Sequence, residues 1–355
     1  MAGPTFDLLH YIVDRLPTTK YDLASSNLPP VPVESGNVLA NLEHVEPHLA
    51  GSPELRAQIA RLSGVPADQI LATAGASEAN LLVGLALLQR GDRVVVERPG
   101  YEPLWKTFQL LGAEISFLPR PFESGFQPDW ETVEALGDDP PRLLVLTNLH
   151  NPGGTRLGVD DLARLAEVAE RGDFPILMDE IFREAALDEP PPSALTVSDR
   201  FIITSSVTKV YGLGGLRLGW CMAAPNLLAA LHRAKDFTSV APSLLSDAVG
   251  VRVLTDREAV RRRNQRLMTT NRRLVADWIR AEPAVDWVLP DANVSFPRYH
   301  GDVDRLASVA FEEYGVLVAP GSMFGAPDHF RLCYGTDTET VTAGLEGLSQ
   351  AIREA

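Results

Sequence analysis

Between residues 41 and 262, short unbroken apolar runs alternate with longer amphipathic ones, and few folds accept that order. "DQILATA", "DRVVVERPG", "AEISFLP", "PRLLVLTNLH", "FPILMDEIF", "RFIITSS" and "LRLGWCMAA" read as strands. "SEANLLVGLALLQRG", "YEPLWKTFQLLG" and "VDDLARLAEVAERG" read as the helices between them. A strand that is apolar along its whole length has to be covered on both faces, and helices joining successive strands supply the cover. The expected fold class is therefore α/β: a mostly parallel sheet sandwiched by helices.

The texture changes after residue 262. A long helix through "AVRRRNQRLMTTNRRLVADWIRAE" leads to "VDWVLPDANVSFPRY", a helix "VDRLASVAFEEY", strands in "GVLVAP" and "HFRLCYG", and a last helix "TVTAGLEGLSQAIREA". This mixture predicts a smaller α+β domain over 263–355, with a large domain over 41–262. Residues 1–40 read as an N-terminal arm that joins the small domain. The proline-rich "DEPPPSAL" is a loop rather than a linker, because the strand pattern resumes after it.

Charge and composition exclude some functions. A formal net charge of -15 opposes nonspecific binding to nucleic acid or to an anionic membrane. No apolar run approaches the ~18 residues that span a bilayer, and Asp7 stands where a secretory leader carries basic residues. The two cysteines, Cys221 and Cys333, lie in strand-like sequence and read as buried reduced thiols, which places the chain in the cytoplasm. The histidines show no metal-ligand spacing, so no metal is expected.

In open α/β sheets ligands gather at the carboxyl ends of the strands, so the polar residues there are read together. Gly75, Ala76 and Ser77 stand between a strand and a helix, where free N–H groups suit a phosphate; Ser77 serves equally as a helix cap. Asn151 follows an apolar strand and precedes Pro152 and two glycines, a pattern that a plain turn also explains. Asp179 ends a buried strand, where a carboxylate is costly without a partner. Ile181, two residues on, shares its face if the strand continues, giving a charge beside an aliphatic surface for a flat ring with a basic nitrogen. A loop acid is the plain alternative. Ser206 and Lys209 follow "RFIITSS", with Arg217 beyond a run of glycines. Lysine is usually a surface residue, but one held here can lose basicity and become a Schiff-base nucleophile. A phosphate cradle, an acid for a ring nitrogen and a nucleophilic lysine are what pyridoxal 5′-phosphate requires.

"SSVTKVYGLGGLRLGW", with "ATAGASEANLL", "LTNLHNPGG" and "ILMDEIF", resembles the class I/II aminotransferases of the fold-type I pyridoxal-phosphate enzymes. The resemblance runs from "DLASSNLPP" to "HFRLCYG". It implies that Lys209 forms the internal aldimine and shuttles a proton, and that Asp179 pairs with the pyridinium nitrogen. It makes Asn151 a donor to the ring's O3′ oxygen, and stacks Tyr101 on one ring face and Ile181 on the other. Gly75, Ala76, Ser77, Ser206 and Arg217 hold the phosphate, and Arg331, with Asn151, binds the substrate carboxylate. The implied activity is transfer of the α-amino group of an L-amino acid to a 2-oxo acid by a ping-pong mechanism, in a homodimer.

Two positions depart from the family pattern. Phe182 stands where a tyrosine is usual, which removes a donor to O3′ and predicts a more basic aldimine. Glu46, in "VEPHLAGSPELR", stands where a tyrosine reaches the neighbouring subunit's phosphate. Both raise a second reading within the fold: a β-eliminating lyase, a decarboxylase or an amino-acid cyclase. A reading from another class, a ligand-sensing transcription factor with this fold, is disfavoured by the acidic balance and the short stretch before the α/β region.

Overall fold

The computed structural model describes residues 4–33 and 48–355. In chain order its strands are β1 (Tyr21–Asp22), β2 (Ile70–Thr73), β3 (Arg93–Arg98), β4 (Glu114–Pro119), β5 (Leu143–Thr147), β6 (Ile176–Asp179), β7 (Phe201–Ser206) and β8 (Gly219–Met222). They are followed by β9 (Val285–Asp286), β10 (Val294–Ser295), β11 (Arg298–Tyr299), β12 (Val316–Leu317), β13 (Ala319–Pro320) and β14 (Phe330–Cys333). Seven of them form one sheet in the order β2-β8-β7-β6-β5-β3-β4. All run parallel except β8, which is antiparallel to β2 and β7.

Pleating explains why these strands are apolar throughout. Val94, Val96, Leu143, Val145, Leu177, Ile202 and Cys221 enter one buried cluster, while Val95, Leu144, Leu146, Ile176, Met178, Ile203 and Trp220 enter another. Successive residues thus feed opposite faces. Each fully buried aliphatic side chain contributes about 1.5–3 kcal/mol, so a polar residue at either parity is costly. Helix Val159–Gly172 shows the matching half: Leu162, Leu165, Val168 and Ala169 are buried on one stripe, and acids and arginines face out.

A smaller domain is built on short strands. β14 lies between β10 and β13, β9 pairs with β11, and β1 from the N-terminal arm pairs in parallel with β12. "GVLVAP" is therefore two strands rather than one. The chain leaves the β1 ladder at Leu317 and joins the β14 ladder at Ala319. The long helix spans Arg257–Ala281, and its buried stripe includes Asn264 and Asn271 among the aliphatics. A third cluster joins Leu8 and Ala24 of the N-terminal arm to Phe126, Phe296, Leu317 and Phe324. The segment from β1 to Leu28 is thereby drawn across the carboxyl edge of the large sheet as a strap.

Candidate active site

The carboxyl ends of β2, β3, β5, β6 and β7 deliver Gly75, Tyr101, Asn151, Asp179 and Lys209 to one edge. Arg217 arrives just before β8, whose first residue Gly219 pairs with both Thr73 and Ser206. β14 brings Arg331 from the small domain.

Gly75 caps helix Ala76–Leu87 with φ 88°, a left-handed value that favours glycine. A Cβ there would lie 2.5 Å from Arg217 Nη2, and one on Gly219 would lie 2.5 Å from the Gly75 carbonyl carbon and 2.7 Å from the Ala76 nitrogen. Arg217 Nη2 donates to the Ala74 carbonyl at 3.2 Å, and Nη1 donates to the Gly214 carbonyl at 3.1 Å. The turn after β2, the Arg217 guanidinium and β8 thus pack so closely that neither glycine has room for a side chain. Ser77 lies exposed in the first turn and is not the cap, because Gly75 takes that place. Ser206 is buried, and its Oγ accepts from the Thr208 amide at 3.1 Å.

Asp179 is 4% exposed and has no ion-pair partner among the described residues. Burial pushes its carboxyl up to about 7; the Ile181 amide and Asn80 side chain oppose this, while Glu97 and Glu180 add to it. The shared-face expectation for Ile181 needs correction. The strand ends at Asp179, whose Oδ1 accepts from the Ile181 N–H at 3.0 Å, so Ile181 sits in a turn. Phe182 is buried in the core. Glu46 lies outside the described residues.

Asn151 and Arg331 meet: Arg331 Nη1 donates to Asn151 Oδ1 at 3.3 Å, and Nη2 donates to the Ala24 carbonyl at 2.8 Å. Arg331 is 2% exposed, and its Nε has no partner. The Asn151 amide donates to Thr147 Oγ1 at 3.0 Å. That hydroxyl donates in turn to Glu97, which pairs with Arg120 at 2.5 Å. Tyr101 packs edge-on to Phe6 at 5.7 Å, and burial pushes its phenol up to about 12. Lys209 is pushed down to about 8, first by burial and then by Arg331. Its Nζ donates to Ser26 Oγ at 3.0 Å. Ser26, Asn80 and the Thr147–Glu97–Arg120 chain escaped sequence reasoning, although Ser26, Asn80, Glu97 and Thr147 all lie within or beside the runs quoted above.

Residues 20–348 match the family profile described as aminotransferase class I and II. Among curated proteins, the chain is 32% identical over 308 residues to capreomycidine synthase of Streptomyces vinaceus, covering 85% of this chain and 79% of that one. It is also 32% identical over 307 residues to a histidinol-phosphate aminotransferase of Symbiobacterium thermophilum, covering 84% and 81%. A crystal structure of a PLP-dependent aminotransferase from Streptococcus suis superimposes with TM-score 0.93 at 28% identity, covering 100% of this chain and 99% of that one. The PLP-dependent cyclase OrfR superimposes with TM-score 0.90 at 26% identity, covering 100% and 98%.

The cofactor is pyridoxal 5′-phosphate, and the residues present fit it. The uncapped N–H groups that open helix Ala76–Leu87 lie beside the Arg217 guanidinium, a donor set that suits a phosphate. Asp179 is a buried acid lacking a cation, and a protonated ring nitrogen is one. The chain belongs to the class I and II aminotransferases, pyridoxal-phosphate enzymes of fold type I.

Proposed function

We propose that this protein is an aminotransferase that moves the α-amino group of an L-amino acid to a 2-oxo acid. The observation that carries the reading is the convergence of Lys209, Asp179 and Arg331 on one edge: Asp179 and Arg331 both act electrostatically on the Lys209 amine. When bound, pyridoxal phosphate supplies an aldehyde for an amine and a cationic ring that draws electrons from the carbon bearing it. Gly75, Ala76, Ser77, Ser206 and Arg217 hold the phosphate through N–H, hydroxyl and guanidinium donors. Asp179 keeps the ring nitrogen protonated, Asn151 donates to the ring oxygen, and Tyr101 and Ile181 bracket the ring. Arg331 takes the substrate carboxylate in a bidentate pair, with its unpartnered Nε available. Lys209 Nζ, once free and neutral, takes the proton from the substrate Cα.

A second reading, a cyclase or another non-transaminating enzyme, is favoured by the likeness to capreomycidine synthase and OrfR and by Phe182. The two readings part on one experiment. The loaded protein is given single L-amino acids without any 2-oxo acid, and the released cofactor is analysed by mass spectrometry. Transamination leaves pyridoxamine phosphate and a stoichiometric 2-oxo acid. Unchanged pyridoxal phosphate, with the substrate consumed and its nitrogen retained or lost as ammonia, sinks the aminotransferase reading.

The same reading makes the protein a homodimer. Phe237, 90% exposed, lines a shallow surface hollow with the exposed Leu85 and with Ala86. An apolar patch of this kind suits a second copy.

A further inference from the structure

The Lys209 side chain has one hydrogen-bond partner among the described residues, and it comes from the other end of the chain. Ser26 Oγ accepts from Nζ at 3.0 Å across 183 positions of sequence. The strap that carries Ser26 is tied at several points. The Leu23 amide donates to Leu317, the Cys333 amide donates to Leu23, and the Asp22 carboxylate accepts from the amides of Ala24 and Ser25. The Asn293 side chain donates to the Ser26 carbonyl at 2.9 Å, and the Leu28 amide donates to the carbonyl of Lys209 itself at 2.9 Å. The strap therefore grips both ends of the lysine, main chain and amine, and the hydroxyl is fixed relative to it. The neighbouring Asn27 is exposed, so Ser26 is the polar side chain of this pair turned into the site.

We propose that Ser26 is a positioning residue for Lys209: its hydroxyl accepts a hydrogen bond from the amine and so sets the direction of the nitrogen lone pair. The inference rests on the reading of Lys209 as the lysine that holds the cofactor. In that reaction the lone pair forms the bond to the aldehyde carbon and the carbonyl oxygen leaves as water, so only the neutral amine reacts and its direction matters. The other groups acting on the amine are Arg331 and Cys333 from β14 and Asp179 from β6. Arg331 disfavours the ammonium, Asp179 and any Cys333 thiolate favour it, and the Ser26 hydroxyl adds an acceptor that favours it as well.

The test follows cofactor uptake rather than turnover. Cofactor-free wild type, S26A, S26G and S26T are mixed with pyridoxal phosphate over a pH series, and the rate of uptake is read from ring absorbance. Borohydride reduction and peptide mapping then locate the labelled lysine. For wild type the rate should rise with pH, with its midpoint near the amine's value of about 8. Loss of an acceptor for a charged donor should move the midpoint of S26A and S26G down by about one pH unit. The alkaline plateau, where every amine is neutral, should fall severalfold through lost orientation. S26T should restore both. An unchanged midpoint and plateau in S26A and S26G overturns the proposal, as does a plateau that falls equally in S26T with the midpoint unmoved, since that is a packing effect. A label on a lysine other than Lys209 overturns the lysine assignment itself, which separates the two failures.

Discussion

Asp179 is the residue at which stability and function pull in opposite directions. In the cofactor-free fold its carboxyl is raised from 3.8 to about 7, chiefly by burial. The folded chain then keeps a proton that the unfolded chain releases between those values. The group's contribution is favourable below pH 3.8, declines as pH rises, and is fully lost above 7. Cofactor-free D179N should therefore melt higher than cofactor-free wild type at pH 8, by the equivalent of about 2–4 kcal/mol, and the gap should close toward pH 4. The same variant should bind pyridoxal phosphate at least tenfold more weakly, since a neutral amide cannot hold the ring cation. Thermal melts across pH and cofactor titration measure both halves. Equal melting of the two cofactor-free proteins at every pH would show that Asp179 is not held charged at a cost.

At the level of elements, the site depends on how closely β8 passes the turn after β2. Two glycines make that approach possible, and they differ in what a side chain would strike. On Gly75 it meets the end of the Arg217 side chain, which can swing away; on Gly219 it meets the backbone of Gly75 and Ala76, which cannot. G75A should fold with a modest loss, from strain at positive φ, and lose cofactor affinity tenfold or more because Arg217 is displaced. G219A should lose several kcal/mol of stability before any binding is measured. Chemical denaturation and cofactor titration of both variants check the order; the reverse ranking would contradict this packing. The same level shows what was legible. Strand-end residues such as Asp179, Asn151 and Lys209 were readable because an apolar run announces the strand and a polar residue interrupts it. The extent of β6 was not readable, because "ILMDEIF" keeps the strand's composition while the Asp179 side chain ends the strand locally by taking the Ile181 amide. Asn264 stands in an arginine-rich helical run, yet its side-chain amide is buried and donates to the Val210 carbonyl, next to Lys209. A helix stripe identifies which side is buried but not which polar residue is admitted to it.

At the scale of the whole molecule, the two halves were legible and the strap was not. Alternation of runs gives the sheet, whereas the β1–β12 pairing joins positions so far apart that only the folded chain places Ser26 at Lys209. Assembly also belongs at this scale. F237D puts a charge into the exposed apolar patch, so sedimentation should show a dimer for wild type and a monomer for the variant, with the monomer's secondary structure intact. A wild-type monomer at micromolar concentration would remove the homodimer from the proposed function.

The strap has one more consequence. Its Ala24 carbonyl occupies Arg331 Nη2 while its Ser26 hydroxyl occupies Lys209 Nζ, two residues apart on a single stretch of chain. Both contacts leave the reacting positions open: the hydroxyl takes an N–H and not the lone pair, and Arg331 keeps an unpartnered Nε. One short stretch of peptide therefore sets the spacing between amine and guanidinium, so the reach from carbon to carboxylate that a substrate must match is written into the strap.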